Sequence, residues 1–114
     1  MLEKENYTNN MLKTFLDLVV LSMLTYEPLH GYKIIANIHK KFGVLISPGT
    51  LYPLLYNLQE KGLLNVRSAK RKKIYRITSK GQENLTRILG VSKKNSQIIF
   101  KFIDENCTQQ NLIT

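Results

Sequence analysis

Ser47 to Leu64 reads S-P-G-T-L-Y-P-L-L-Y-N-L-Q-E-K-G-L-L, and the rest of the chain takes its place around this run. The Ser47 hydroxyl can accept from a free backbone N–H of a helical first turn, and Pro48 loses nothing there by lacking a donor. Leu51, Leu54, Leu55 and Leu58 then recur at i, i+3, i+4 and i+7, one apolar stripe of a helix backed by a core. The opposite side carries Gly49, Tyr52, Pro53, Tyr56 and Asn57, with no Lys or Arg before Lys61. A solvated helix face normally carries charge, so this bare face with two phenol tips suits a partner. Pro53 removes one helical bond and crowds the Gly49 carbonyl, which predicts a slightly opened first turn. Gly62 is placed to end the helix, and Leu63-Leu64 to begin an extended segment.

The run resembles the recognition helix and the start of the wing in the PadR family of winged-helix transcriptional regulators. Two flanking blocks resemble that family's in the same order: P-L-H-G-Y-K-I at Pro28–Ile34 and Y-R-I-T-S-K-G at Tyr75–Gly81. The resemblance covers residues 13 to 81. It implies a mainly α fold with a small β-hairpin (α+β), a winged helix-turn-helix. Residues 1–81 would be the DNA-binding domain with an N-terminal arm, and residues 82–114 a C-terminal helical dimerisation segment. It further implies a sequence-specific regulator, a repressor, bound as a homodimer to a palindromic operator in double-stranded DNA. The dimer would be held by the C-terminal helix and the N-terminal helix.

Composition agrees with an anionic partner. Among 114 residues, 17 are Lys or Arg and 8 are Asp or Glu, a formal net charge of +9, and nucleic acid or an anionic surface answers such a balance. The length suits one domain. The longest apolar stretch, Leu18 to Leu24, is interrupted by Ser22 and is too short to cross a membrane. The N-terminus lacks the pattern of an export signal. The single cysteine, Cys107, fits a reducing cytoplasm.

Outward from the central run, residues 1–10 are polar and read as an arm able to extend the first helix. From Leu12 to Tyr26 apolar residues lie almost all round a helix, as in an element covered on several sides. After the break at Glu27-Pro28-Leu29, a second helix is expected from His30 to Lys41, with a core stripe of Ile34, Ile35, Ile38 and Phe42. Gly43 stops it, and a short connection leads to Ser47: a helix-turn-helix. L-L-N-V-R-S and K-I-Y-R-I-T alternate as strands, leaving S-A-K-R-K-K as the loop. Lys61 to Lys80 contains eight basic residues and no acidic one. Four successive cations, Lys70 to Lys73, repel one another unless an anion lies nearby. Ser79-Lys80-Gly81-Gln82 has capping-box spacing. Beyond it Leu85, Ile88, Leu89, Ile99, Phe102 and Ile103 hold one helical phase, which favours one long helix through Gly90 over two short ones.

The expected DNA contacts are Lys33, Ser47, Gly49, Thr50, Tyr52, Pro53, Tyr56, Arg67, Lys70, Arg71, Lys72 and Lys73. Gly49, Thr50, Tyr52, Pro53 and Tyr56 would lie near bases and sugars, with Ser47 and the helix start on a phosphate. Lys33, Arg67 and the run Lys70–Lys73 would grip the backbone. From the resemblance, Ser47, Gly49, Thr50 and Tyr52 are the best-matched positions. The other reading of Tyr52 is that it packs on the wing, and Tyr32 and Tyr75 are expected in the core. A second function would place a small-molecule effector at the dimer interface, where Tyr7, Phe15, Phe100 and Phe102 are the available aromatics. Enzymatic chemistry is not expected, nor any metal or cofactor. His30 and His39 stand apart with no partner ligands at metal spacing, and no phosphate-binding glycine loop or nucleophile elbow occurs. His30, near a helix start, is instead placed to donate to a phosphate.

Overall fold

A computed structural model describes residues 2–109. The order of elements is α1 (Leu2–Thr14), α2 (Leu16–Tyr26), β1 (Leu29–His30), α3 (Gly31–Phe42), α4 (Pro48–Glu60), β2 (Leu64–Ala69), β3 (Lys72–Ile77) and α5 (Ser79–Gln109). The polar arm is itself helical, as α1, and a break at Phe15 separates it from α2. The three strands form one antiparallel sheet in the order β1-β3-β2. The winged helix-turn-helix expected from the sequence is present, with one strand more than the expected hairpin.

The core lies where α2, α3, α4 and the sheet meet. Val20 and Leu21 of α2, Ile34 and Ile38 of α3, Leu51 and Leu55 of α4, and Leu64 of β2 supply its most deeply buried side chains. Leu54 is only half-buried, so the stripe of α4 is narrower than its spacing suggests. Phe42, expected to complete the stripe of α3, lies in the last turn beyond the reach of the core and is exposed. Each fully buried aliphatic side chain is worth about 1.5–3 kcal/mol. The three leucines buried on α4 thus fix its rotation firmly against a net stability on the order of 5–15 kcal/mol for such a domain.

Two ends of α4 are closed by local chemistry. The Ser47 hydroxyl accepts from the Thr50 N–H at 3.2 Å, and the Ser47 carbonyl accepts from both Thr50 and Leu51 at 3.0 Å. The start of the helix is thereby tightened at Ser47, and the helix runs through Pro53 without interruption. At the other end Gly62 takes φ +76°. Its N–H donates to the Gln59 carbonyl and that of Leu63 to the Leu58 carbonyl, both at 2.9 Å, the paired bonds of a Schellman stop.

Helix α5 is capped by Thr78, one residue before the serine picked out by the sequence pattern. The Thr78 hydroxyl accepts from the Gly81 N–H at 3.0 Å and donates to the Gly62 carbonyl at 2.7 Å. The Thr78 N–H donates to Leu63 at 3.0 Å. Ser79 cannot compete, because it is exposed and faces no such partner. From that knot α5 continues unbroken through Gly90 to Gln109. Its 31 residues span about 46 Å at the usual helical rise and make up most of the 60 Å long axis of the protein.

Gly81 sits where α5 crosses the start of β2. A Cβ there would meet the Leu63 carbonyl oxygen and lie 2.7 Å from Ile77 Cγ1. Backbone cannot step aside as a flexible side chain would, so Gly81→Ala is expected to cost about 2 kcal/mol, the scale of overpacking. A urea titration should show a lower midpoint with an unchanged slope.

Candidate nucleic-acid interface

The leucine backing turns the other face of α4 outward. Gly49, Thr50, Pro53 and Tyr56 are exposed, Tyr56 to 61%, and their positions at i, i+1, i+4 and i+7 keep them on one side of the helix. The Ser47 side chain engages Thr50 twice, since its hydroxyl also donates to Thr50 Oγ1 at 3.1 Å. This leaves the Thr50 hydroxyl proton outward-facing. With Pro48 lacking an N–H and Thr50 and Leu51 committed to Ser47, the Gly49 N–H is the uncommitted donor of the first turn among the described residues.

Tyr52 behaves differently from its neighbours. It is half-buried, packs against the core, and its ring covers Gly31 at the start of α3. A Cβ on residue 31 would strike the Tyr52 hydroxyl and lie 2.6 Å from Cζ. The residue that allows α4 to approach α3 is therefore the glycine of the P-L-H-G-Y-K-I block. Tyr75, at 5% exposure, is in the core as expected, whereas Tyr32 is 67% exposed because the first turn of α3 points it to solvent.

The wing is tighter than the sequence suggested. Strands β2 and β3 pair out to Ala69 and Lys72, so the loop is the two residues Lys70 and Arg71, both with positive φ (48° and 70°). This is the primed turn that matches strand twist, a conformation normally given to Asn-Gly or Gly-Gly. Lys72 and Lys73 belong to the strand. Arg71, Lys72 and Lys73 rim a cavity of about 510 Å³ whose other walls are His30, Gly31, Tyr32, Tyr52 and Tyr75. Arg67 is not brought to this cavity. It pairs with Ile74 and shares a second cavity with Asn65 and Arg76 on the opposite face of the hairpin. Lys33 is exposed on α3, outside the lining.

Three members of the cavity were missed by sequence reasoning, Gly31, Tyr32 and Tyr75, while His30 is expected only as a phosphate donor near a helix start. His30 caps α3, its Nδ1 accepting from the Lys33 N–H at 3.3 Å, which places the ring proton on Nε2 as a donor. Burial, and after it the neighbouring Tyr52 phenol, raise the Tyr75 hydroxyl above its ordinary value of 10.0, so it is a protonated donor at neutral pH. The signal available in the sequence was the pairing of Leu29-His30 with Ile74-Tyr75, two residues too short to show strand alternation.

A helix-turn-helix whose second helix shows a bare outward face beside a cationic hairpin defines the winged helix-turn-helix class. Residues 20–87 match the transcriptional regulator PadR-like family, more than half of the chain, and the protein belongs to that family of transcription regulators. Among curated relatives, it is 30% identical over 70 residues to the transcriptional activator GvpE2 of Halobacterium salinarum, covering 60% of this chain and 36% of that protein. It is 38% identical over 48 residues to the activator GvpE of Haloferax mediterranei, covering 42% and 25%. The chain thus spans about a third or less of the length of these relatives. A transcriptional regulator from Clostridium thermocellum superimposes with a TM-score of 0.76 at 26% identity, over 82% of this chain and 98% of that one. A PadR-like regulator from Bacillus cereus does so with 0.68 at 26% identity, over 82% and 96%. No described helix is long and apolar enough to cross a membrane, and the described residues hold no group of three or more metal-ligating side chains.

The turn at Lys70-Arg71 holds two side-chain-bearing residues in left-handed conformations, at a cost on the order of 1 kcal/mol each. Replacing them by Lys70→Asn with Arg71→Gly should relieve that cost. Thermal unfolding of the double variant is expected several degrees above the parent, for a gain of about 1 kcal/mol.

Proposed function

We propose that the protein binds double-stranded DNA as a sequence-specific homodimer, laying α4 in the major groove and the wing along the adjoining backbone. The observation that carries this reading is the exposed Gly49, Thr50, Pro53 and Tyr56 face, held rigid from behind by three buried leucines. Gly49 lets the backbone approach closely, Thr50 offers a hydroxyl, and Pro53 an apolar surface for a thymine methyl. Lys33, Arg67 and Lys70 to Lys73 supply the salt-dependent share of the affinity, with Arg67 acting from the far face of the hairpin.

Residues 1–81 form the reading head and residues 82–114 the dimerising segment, described as far as Gln109. Past Leu85, α5 exposes Val91, Ile98, Ile99, Phe100, Phe102 and Ile103. These exposed apolar side chains, interrupted by the polar residues Ser92, Asn95 and Ser96, call for cover, and a second copy, with α1 adding to the contact, supplies it. Two-fold symmetry makes the operator palindromic. Repression is the mode proposed, because a dimer seated over a promoter blocks it with no surface beyond those that hold the DNA. The activators named above extend well past the matched region. The lone Cys107 fits work in a reducing cytoplasm.

A second reading adds a small-molecule effector at the dimer interface that releases the DNA. It draws on an apolar cavity of about 280 Å³ between α1, α2 and α3, lined among others by Met11, Leu12, Phe15, Val19 and Phe42. A compound that both raises thermal stability and weakens DNA binding would establish it.

Selection from a random oligonucleotide pool should return a palindrome with half-sites about one helical turn, or about 10 base pairs, apart; a lone asymmetric half-site would argue for a monomer. On the selected duplex, Thr50→Ala should flatten the preference among sequences. Lys70→Asn with Arg71→Gly should weaken binding to every duplex and lower the salt slope by about 2, one unit per lost phosphate contact.

A further inference from the structure

The cavity between the start of α3, Tyr52 and the wing has mainly apolar walls, with several hydrogen-bond donors set around them. Arg71, Lys72 and Lys73 bring three cations, His30 brings its Nε2–H, and no carboxylate lines the space. Tyr75 is nineteen-twentieths buried, yet its hydroxyl reaches the cavity without a hydrogen-bond partner among the described residues. The ring is packed in the core while the polar tip of the phenol reaches its edge, an amphipathic placement usual for tyrosine. The Tyr75 hydroxyl oxygen is open to the cavity, not sealed in the core, so it can donate to a ligand there. With three cations and no carboxylate around it, the ligand whose charge the cavity complements is an anion. A volume of about 510 Å³ exceeds what a bare phosphate needs and has room for a sugar-phosphate unit. Through Tyr52, which stands one turn from Gly49 and Tyr56 on the same helix, the cavity is continuous with the outward face of α4.

We propose that this cavity is a socket for one phosphodiester of the DNA strand beside the groove that α4 reads, with the Tyr75 and Tyr52 hydroxyls, the His30 Nε2–H and the wing cations as its donors. The inference rests on the reading of α4 as the groove-facing helix. It deepens that reading by moving Tyr52 from base contact to backbone contact and by bringing Tyr75 into the interface beside His30. The socket takes its shape from Gly31, since any side chain there would displace the Tyr52 ring. It sets the distance between wing and recognition helix by gripping the strand between them, which makes it a positioning site carrying no base information.

The test uses the full-length protein and the duplex selected from the random pool. Tyr75→Phe keeps the buried ring and removes only a hydroxyl with no partner among the described residues, so its thermal stability should match the parent. Its affinity should fall about tenfold, the scale of a hydrogen bond to a charged group. The loss should be equal on the selected duplex and on random DNA, and the salt slope should not change because no charge is removed. Tyr52→Phe should repeat the pattern. A scan with single methylphosphonates then locates the phosphate. At one position per half-site, neutralisation should weaken the parent strongly and Tyr75→Phe much less, the non-additivity of groups in contact.

Parent-like binding by Tyr75→Phe, or additive penalties at every scanned phosphate, would overturn the socket while leaving DNA binding by α4 intact. Saturable binding of inorganic phosphate to the DNA-free protein that Tyr75→Phe abolishes, together with an additive scan, would assign the cavity to a free anion and overturn it equally. A parent protein that retains no duplex from the pool would remove the reading of α4 itself, and the socket with it.

Discussion

The rotation of α4 about its own axis is the constraint on which everything else rests. Leu51, Leu55 and Leu58 share one core with Ile34 and Ile38 of α3 and Leu21 of α2, and a turn of the helix by even one residue would pull all three leucines into water. At about 1.5–3 kcal/mol each, that loss is comparable to the whole stability of a small domain. The outward face is thus not free to choose its residues or their direction. Gly49, Pro53 and Tyr56 are presented because the leucines cannot be, and the tightened first turn at Ser47 holds the leading edge of the face to the same standard.

The second constraint is the Thr78 hydroxyl, which joins the end of α4 to the start of α5 through Gly62 and Gly81. Strands β2 and β3 leave from and return to this knot, so the wing inherits its direction from the stop of the recognition helix. A single side chain thereby relates three parts with separate tasks: the reading helix, the cationic hairpin and the long helix that carries the apolar stripe. The same economy explains why glycines stand at its two corners, one for its backbone angle and the other for lack of space.

At the wing tip, stability yields to charge. Lys70 and Arg71 occupy a turn that Asn-Gly would fill with less strain, and four adjacent cations repel one another at a place where nothing in the described chain neutralises them. Natural sequences break a local rule of this kind where function requires it, and an anionic partner converts the repulsion into attraction. The cavity next to the tip gathers three of these cations with no carboxylate among its walls.

Periodicity determined much of this protein by itself. The cap at Ser47, the leucine stripe, the stop at Gly62, the alternation of Val66 and Tyr75 and the long phase of α5 are local patterns, and each states which side of an element avoids water. The exposed face of α4 and the concentration of cations on one hairpin were legible for that reason. Tertiary structure decided which element covers which, something a pattern within one segment does not encode. The pairing of Leu29-His30 with Ile74-Tyr75 brings His30, Tyr52 and Tyr75 from three stretches of sequence to one cavity. It sends Tyr32 outward and Tyr75 inward although both sit in similar motifs, and it leaves Arg67 on the far face. Their fates differ because a tyrosine is apolar enough to be buried and polar enough to be wet, and only its neighbours in space choose between the two.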